Sequence, residues 1–267
     1  MLDLSNQNFK TKAELKALAP SIFTKTSSKD VTEKYTHIPT ERVIDDMETL
    51  GWKVVDAKEV KARKKATMSF QKHLIVFRNP DIAIIGENGN DVFPQILLTN
   101  SHDGKNAFTF TAGLFRMICE NGLVVSTSEF EAVKIRHMGY TFEELQVRVK
   151  EMVEKLPLTV ESMNKMIATE LTPKQKFSFA KKCVGFRFGE DVKNIKINLK
   201  DLLSPTRVED RGNSLWNVFN VIQEKLIDGD FTYTSGVKVR KARRIKNFSQ
   251  DIDLNSQLFD VALTYVA

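Results

Sequence analysis

The apolar residues of this chain change their period once, and that change limits the architectures open to it. Past Trp52 they alternate. Val55, Ala57, Val60 and Ala62 interleave with charged residues, and beyond a basic turn Leu74 and Val76 alternate with Ile75 and Phe77. From Thr141 onward they recur at helical spacing instead, as in Phe142, Leu145, Val149, Met152, Val153 and Leu156. Strands first and helices after is the pattern of an α+β chain: an antiparallel sheet with a short packed helix, followed by a helical carboxyl-terminal lobe. The expected organisation is an N-terminal arm over 1–34, a sheet-plus-helix lobe over 35–140 and a mainly helical lobe with a small basic hairpin over 141–267, packed as one unit.

Local signals fill in this plan. Thr11-x-x-Glu14 is a capping box for a helix that Pro20 closes, and Pro39-Thr40 opens another whose Val43, Ile44, Met47 and Leu50 share a face, with Gly51 past its end. A hairpin follows, with Arg63-Lys64-Lys65 at its turn, and then a strand over Phe93 to Thr99. Asn100-Ser-His-Asp-Gly104 is a run of turn formers that puts His102 in a bend. Phe108 to Phe110 reads as a strand. Leu114, Phe115, Ile118 and Cys119 then suit a short helix, with Asn121-Gly122 as its C-cap. Thr141-x-x-Glu144 opens a helix that ends at Pro157, and Thr172-Pro173 starts a further one. Helical spacing returns between Gly212 and Gly229, a hairpin surrounds Gly236, and Leu254 to Val266 forms a final amphipathic helix.

Composition narrows the function classes. No apolar run is long enough to span a bilayer, and the amino terminus lacks the apolar core of a secretory signal. Two cysteines, Cys119 and Cys183, make no disulfide framework and no metal spacing, which points to the reducing cytoplasm. The net charge of +6 suits a polyanionic partner.

That charge is concentrated in rows. Arg63, Lys64, Lys65, Lys72 and Arg78 belong to the expected hairpin, Lys105 to the turn after Gly104, and Lys238, Arg240, Arg243 and Arg244 to a carboxyl-terminal row that meets no acid until Asp251. Such rows bind phosphate backbones, and exposed rings beside them stack on unpaired bases. The plainer reading is solvated faces and a sheet edge guarded by charge. Arg116, set between Phe115 and Met117, must snorkel outward or meet a carboxylate or phosphate.

A second group, His73, His102, Asp103 and His137, offers imidazoles and a carboxylate for general acid-base work or for a divalent metal. Its spacing matches no metal motif, so no metal site is assigned, and no cofactor is expected outside this alternative. Ser101, His102 and Asp103 are adjacent in one turn and cannot form a nucleophile-base-orienter relay. Cys119 lies on an apolar helix face and suits packing better than nucleophilic chemistry.

An ordered set of residues carries a resemblance. Tyr35-x-x-Ile38-Pro39-Thr40, Gly51-Trp52, His73, Asn100 to Gly104, Arg116-x-x-Cys119-x-Asn121-Gly122-Leu123, Arg136-His137-x-Gly139 and Leu215-Trp216-x-x-Phe219-Asn220-x-x-Gln223-Glu224 together resemble the phage/plasmid-like protein family, the domain-of-unknown-function family numbered 932. The resemblance implies a cytoplasmic protein of a phage, prophage or plasmid, with no reaction attached. The basic sheet-plus-helix plan is also that of phage single-strand annealing proteins, which oligomerise along single strands; this is analogy of plan alone. The expectation is a nucleic-acid-binding accessory protein that favours single-stranded DNA, without membrane attachment. The alternatives are a histidine/aspartate-dependent nuclease or hydrolase and, after it, a counter-defence interaction module.

Overall fold

The computed structural model describes residues 9–33, 35–61, 69–82, 92–116, 122–123, 133–135 and 141–266. The chain forms two compact units, Met1–Met117 with Ser128–Lys155 and Ile118–Thr127 with Leu156–Ala267.

The first unit begins with α1 (Lys12–Leu18), whose N-cap Thr11 and Glu14 cap each other reciprocally. A 3-10 turn (Pro20–Phe23) and α2 (Thr40–Thr49) follow. Lys12 reaches across to Asp45 at 2.6 Å, so a charge on α1 meets α2. Strands β1 (Lys53–Glu59), β2 (His73–Arg78), β3 (Val92–Asn100) and β4 (Phe108–Arg116) make an antiparallel meander, and β6 (Val133–Ile135) pairs with β4. The expected hairpin is the β1–β2 pair; its basic triplet, Arg63 to Lys65, lies outside the described residues.

Register places His73, Ile75 and Phe77 on the same face as Asn100, Leu98, Ile96, Phe108 and Phe110. All eight are buried there, and α2 contributes Thr40, Val43, Ile44 and Met47 to the unit's interior. The opposite face of β3 is buried too, through Phe93, Gln95, Leu97 and Thr99. β3 is therefore the central strand.

β4 departs from its sequence pattern. The helix expected from Leu114 does not start there: β4 continues, pairing Leu114 with Pro94, Phe115 with Phe93 and Arg116 with Val92. A short apolar cluster fits either period, and backbone pairing along β3 decides between them.

The helix α3 (Phe142–Ala168) contains the boundary between the units and runs through Pro157 instead of ending there. An internal proline forfeits one hydrogen bond. Burial of Leu145, Val149, Met152, Met163 and Met166 along the remaining turns offsets that loss.

In the second unit α4 (Pro173–Phe188), α6 (Leu215–Asp228) and α7 (Phe248–Leu263) pack pairwise around Phe179, Cys183, Trp216, Phe219, Leu258 and Phe259. Thr172 and Gln175 form the capping box of α4, Ser214 caps α6, and Asn247 caps α7. That last cap starts α7 six residues before the expected Leu254, because Asn247 accepts from the backbone amides of Ser249 and Gln250. A short α5 (Leu199–Leu202) lies between α4 and α6, and the two-residue β5 (Gly122–Leu123) precedes α3 in sequence. A three-stranded antiparallel sheet completes the unit, with β7 (Ile195–Ile197), β8 (Thr232–Ser235) and β9 (Lys238–Lys241) in that spatial order. Gly236 makes the expected turn between β8 and β9 with φ +60°.

Candidate nucleic-acid interface

Two of the predicted histidines, His73 and His102, converge, but in the interior. His73 and His102 are each fully buried, with ring centroids 5.3 Å apart, and His37 lies 4.6 Å from His102. Nδ1 of His73 lies 3.2 Å from the Gln71 carbonyl and 3.0 Å from the Ser21 hydroxyl, and its Nε2 lies 3.0 Å from Thr40 Oγ1. A carbonyl can only accept, so the Nδ1–H donates and Nε2 is left to accept from Thr40. Thr40 Oγ1 in turn accepts from the Asn100 amide at 2.9 Å, and His102 Nε2 lies 3.4 Å from it. Burial pulls His73 down to a pKa of about 4, against which the Gln71 carbonyl is the lesser effect. The ring is neutral at pH 7.

Asp103 points elsewhere. Its Oδ1 accepts from the Ser101 hydroxyl at 2.7 Å and the Lys105 amide at 3.1 Å, which makes it the pivot of its own turn. Tyr35 donates to the Ser101 carbonyl at 3.1 Å; burial first and the Asp103 charge second push its phenol up to about 12. Among the described residues no group of three or more His, Cys, Asp or Glu could hold a metal ion. His137 lies outside the described residues, as does Cys119. The cluster can fix the ends of β2 and β3 against α2. His73 and His102 present no exposed surface to a substrate.

Three described cations of the first unit's sheet are engaged locally. The Arg78 guanidinium sits 5.1 Å from the Phe93 ring centroid, half-buried, and burial lowers its pKa. Lys53, its register partner across β1–β2, lies over Phe9, and Lys58 pairs with Asp56 at 3.1 Å. Lys72 is half-buried beside His73, and Lys105 is exposed in the Asp103 turn. Arg116 ends β4; of its side chain nothing is described.

In the second unit cations stand beside rings. β9 is exposed along its whole length, and Lys238, Arg240 and Arg243 make no ion pair with a described carboxylate. Arg244 meets Asp228 at 3.3 Å and Lys241 approaches Asp230 at 3.8 Å, both at the surface where such pairs contribute little. Arg240 lies directly across from Tyr233 on β8, so the two share a face of the sheet. The end of α4 adds Phe188, 5.0 Å from Tyr233 between ring centroids, and Arg187. Together they line an open concavity of about 750 Å³ that also takes in Lys241, Ala242 and Arg243.

Arg187 organises one wall. Its guanidinium donates to the Arg243 carbonyl at 2.7 Å, and partial burial lowers its pKa, opposed by Tyr233 and Asp251. The sequence rows pointed to Arg240 and Arg243 and passed over Arg187, Phe188 and Tyr233. Their only local signal is an arginine between two phenylalanines at a glycine-ended helix, Phe186-Arg187-Phe188-Gly189.

The residues that carry the resemblance occupy structural positions where they are described. Thr40, His73, Asn100, Ser101 and His102 are the buried network, and Leu215, Trp216 and Phe219 are the core face of α6. Comparison with known proteins agrees on the family. The family described as Domain of unknown function (DUF932) matches residues 29–259. In Escherichia coli strain K12, UPF0380 protein YafZ is 30% identical over 253 residues, covering 94% of this chain and 90% of its own. UPF0380 protein YfjQ of the same strain is 29% identical over 255 residues, covering 95% and 90%. No solved structure matches the chain.

Proposed function

The chain belongs to the DUF932 family, and we propose that it is a nucleic-acid-binding accessory protein of a mobile genetic element, which holds single-stranded DNA in recombination or replication without catalysing a reaction. The observation that carries this reading is the cationic, ring-floored concavity of the second unit: Arg240 and Arg243 make no ion pair with a described carboxylate and stand beside Tyr233 and Phe188. Phosphates supply the missing countercharge, and bases supply faces for the rings. The mobile-element setting rests on the resemblance to phage/plasmid-like proteins.

The hydrolytic alternative requires His102 within reach of a scissile bond, and that side chain is fully buried. Binding is the better-supported role.

Fluorescence anisotropy of labelled oligo(dT) tests the proposal. Affinity should fall by at least about tenfold between about 50 and about 200 mM salt, as counterion release requires for several phosphate contacts. Arg240→Ala combined with Arg243→Ala should weaken binding further and flatten the salt slope. An affinity indifferent to salt, or a double variant that binds like wild type, sinks the proposal.

A further inference from the structure

We infer that the concavity between the end of α4 and the β8–β9 hairpin seats one unpaired nucleotide, its base against Tyr233 and Phe188 and its phosphate on Arg240 and Arg243. This rests on the nucleic-acid reading above and makes it specific: the hollow is what separates single strands from duplex.

Its size, about 750 Å³, falls in the range of roughly 300–1,000 Å³ typical of small-ligand clefts. Both rings are half-buried, so each is anchored by its neighbours yet keeps surface open, and their tilt of 59° forms a corner instead of a sealed stack. Phe231 backs the corner, 6.3 Å from Phe188 and 6.4 Å from Tyr233 between centroids. A base inside a duplex has both faces covered by its neighbours and cannot enter such a corner, whereas an unstacked base can.

The charges stand where the same nucleotide would present its phosphate. Tyr233 and Arg240 are cross-strand partners, with Cβ atoms roughly 5 Å apart by the geometry of an antiparallel pair. Arg243 enters from the segment after β9, its carbonyl held by Arg187. The lining residues include four cations, Arg187, Arg240, Lys241 and Arg243, and no carboxylate; the nearest acids, Asp251 toward Arg187 and Asp230 toward Lys241, stand outside the lining.

The test uses the full chain with a short oligo(dT), a duplex of equal length, and thymidine monophosphate as competitor. Wild type should prefer oligo(dT) to duplex. Tyr233→Ala should lower oligo(dT) affinity by about tenfold while leaving duplex affinity unchanged. Tyr233→Phe should retain the preference, and Tyr233→Leu, which keeps apolar bulk without a ring, should lose it.

Tyr233→Trp adds a direct readout. Trp52 and Trp216 are buried, at 2% and 0% exposure, so quenching by oligo(dT) would come from the introduced indole. Competition by the monophosphate alone, without quenching by oligo(dT), would mean a site for free nucleotides and overturn the strand assignment. Equal affinity of wild type for both nucleic acids, or an unchanged preference in Tyr233→Leu, overturns the inference and leaves the broader proposal standing. Failure of wild type to bind any nucleic acid removes both.

Discussion

A proton on His73 would be costly, and the cost has a defined pH window. The ring is fully buried among neutral groups, the Thr40 and Ser21 hydroxyls, the Gln71 carbonyl and the rings of His102 and, beyond it, His37, so nothing among them offsets the lost hydration of a charged imidazole. Glu59 is close enough to receive the Ser21 amide at 3.0 Å, yet it does not hold His73 in the charged form. With a folded pKa of about 4 against an ordinary 6.5, the unfolded chain binds the proton first. The contribution of the neutral ring is therefore complete above about pH 6.5 and is lost as pH falls toward about 4, on the order of 3 kcal/mol in all. Urea unfolding across that window should show the fall, and His73→Gln should flatten it; a wild-type stability that is constant over the window would refute the assignment. The residue types of this network were legible in the sequence, as was the bend at His102. Its burial was not. Nothing local to His73 says that the end of β2 lies under Thr40, whose contact spans thirty-three positions. Asp103 was grouped with the histidines by proximity, and a turn carboxylate instead satisfied the nearest amide.

At the level of elements, the connection from α6 to the candidate site hangs on one residue. Gly229 closes α6 with φ +77°, and a Cβ there would come within 2.5 Å of the Arg243 carbonyl carbon and 2.8 Å of that of Ala242. The contact is with backbone, so no rotamer change relieves it. Gly229→Ala should cost at least about 2 kcal/mol from the left-handed strain and the forced shift together. It should also displace the segment that carries Arg243, so a fall in melting temperature accompanied by weaker oligo(dT) binding is the expected pair of results. Unchanged stability would mean that the close approach is relaxed in solution. Helices were read well where caps announced them: Thr11, Thr172 and Gly229 all do what their residue types promise. Two boundaries were misjudged for opposite reasons. Pro157 was given too much weight against a long buried stripe, and Asn247 too little as a start signal. The run after Leu114 failed differently, since strand pairing across β3 is a non-local fact that a short apolar cluster does not contain.

For the molecule as a whole, the net charge of +6 includes cations in quite different settings. Arg78, Lys53 and Lys58 of the first unit lie against rings or an acid, whereas Arg240, Arg243 and Lys238 of the second make no ion pair with a described carboxylate. The strand-then-helix order of the fold could be read from period alone, and the carboxyl-terminal cations could be read as a row. That a tyrosine and a phenylalanine would floor the hollow between them could not, because Phe188 and Tyr233 are brought together by the β7–β8 pairing and the end of α4. The same margin has a second consequence. β9 is the outer strand of its sheet; Val239 on it stands 74% exposed, and Val237 in the turn before it 95%. A bare valine beside unpaired amides invites another copy to zip on, and the flanking lysines and arginines repel that copy. A variant stripped of all these charges at once should clump, which turbidity or light scattering would reveal, whereas single replacements should stay dispersed. The feature that would draw a polyanion to this protein thus doubles as its protection against fibrils.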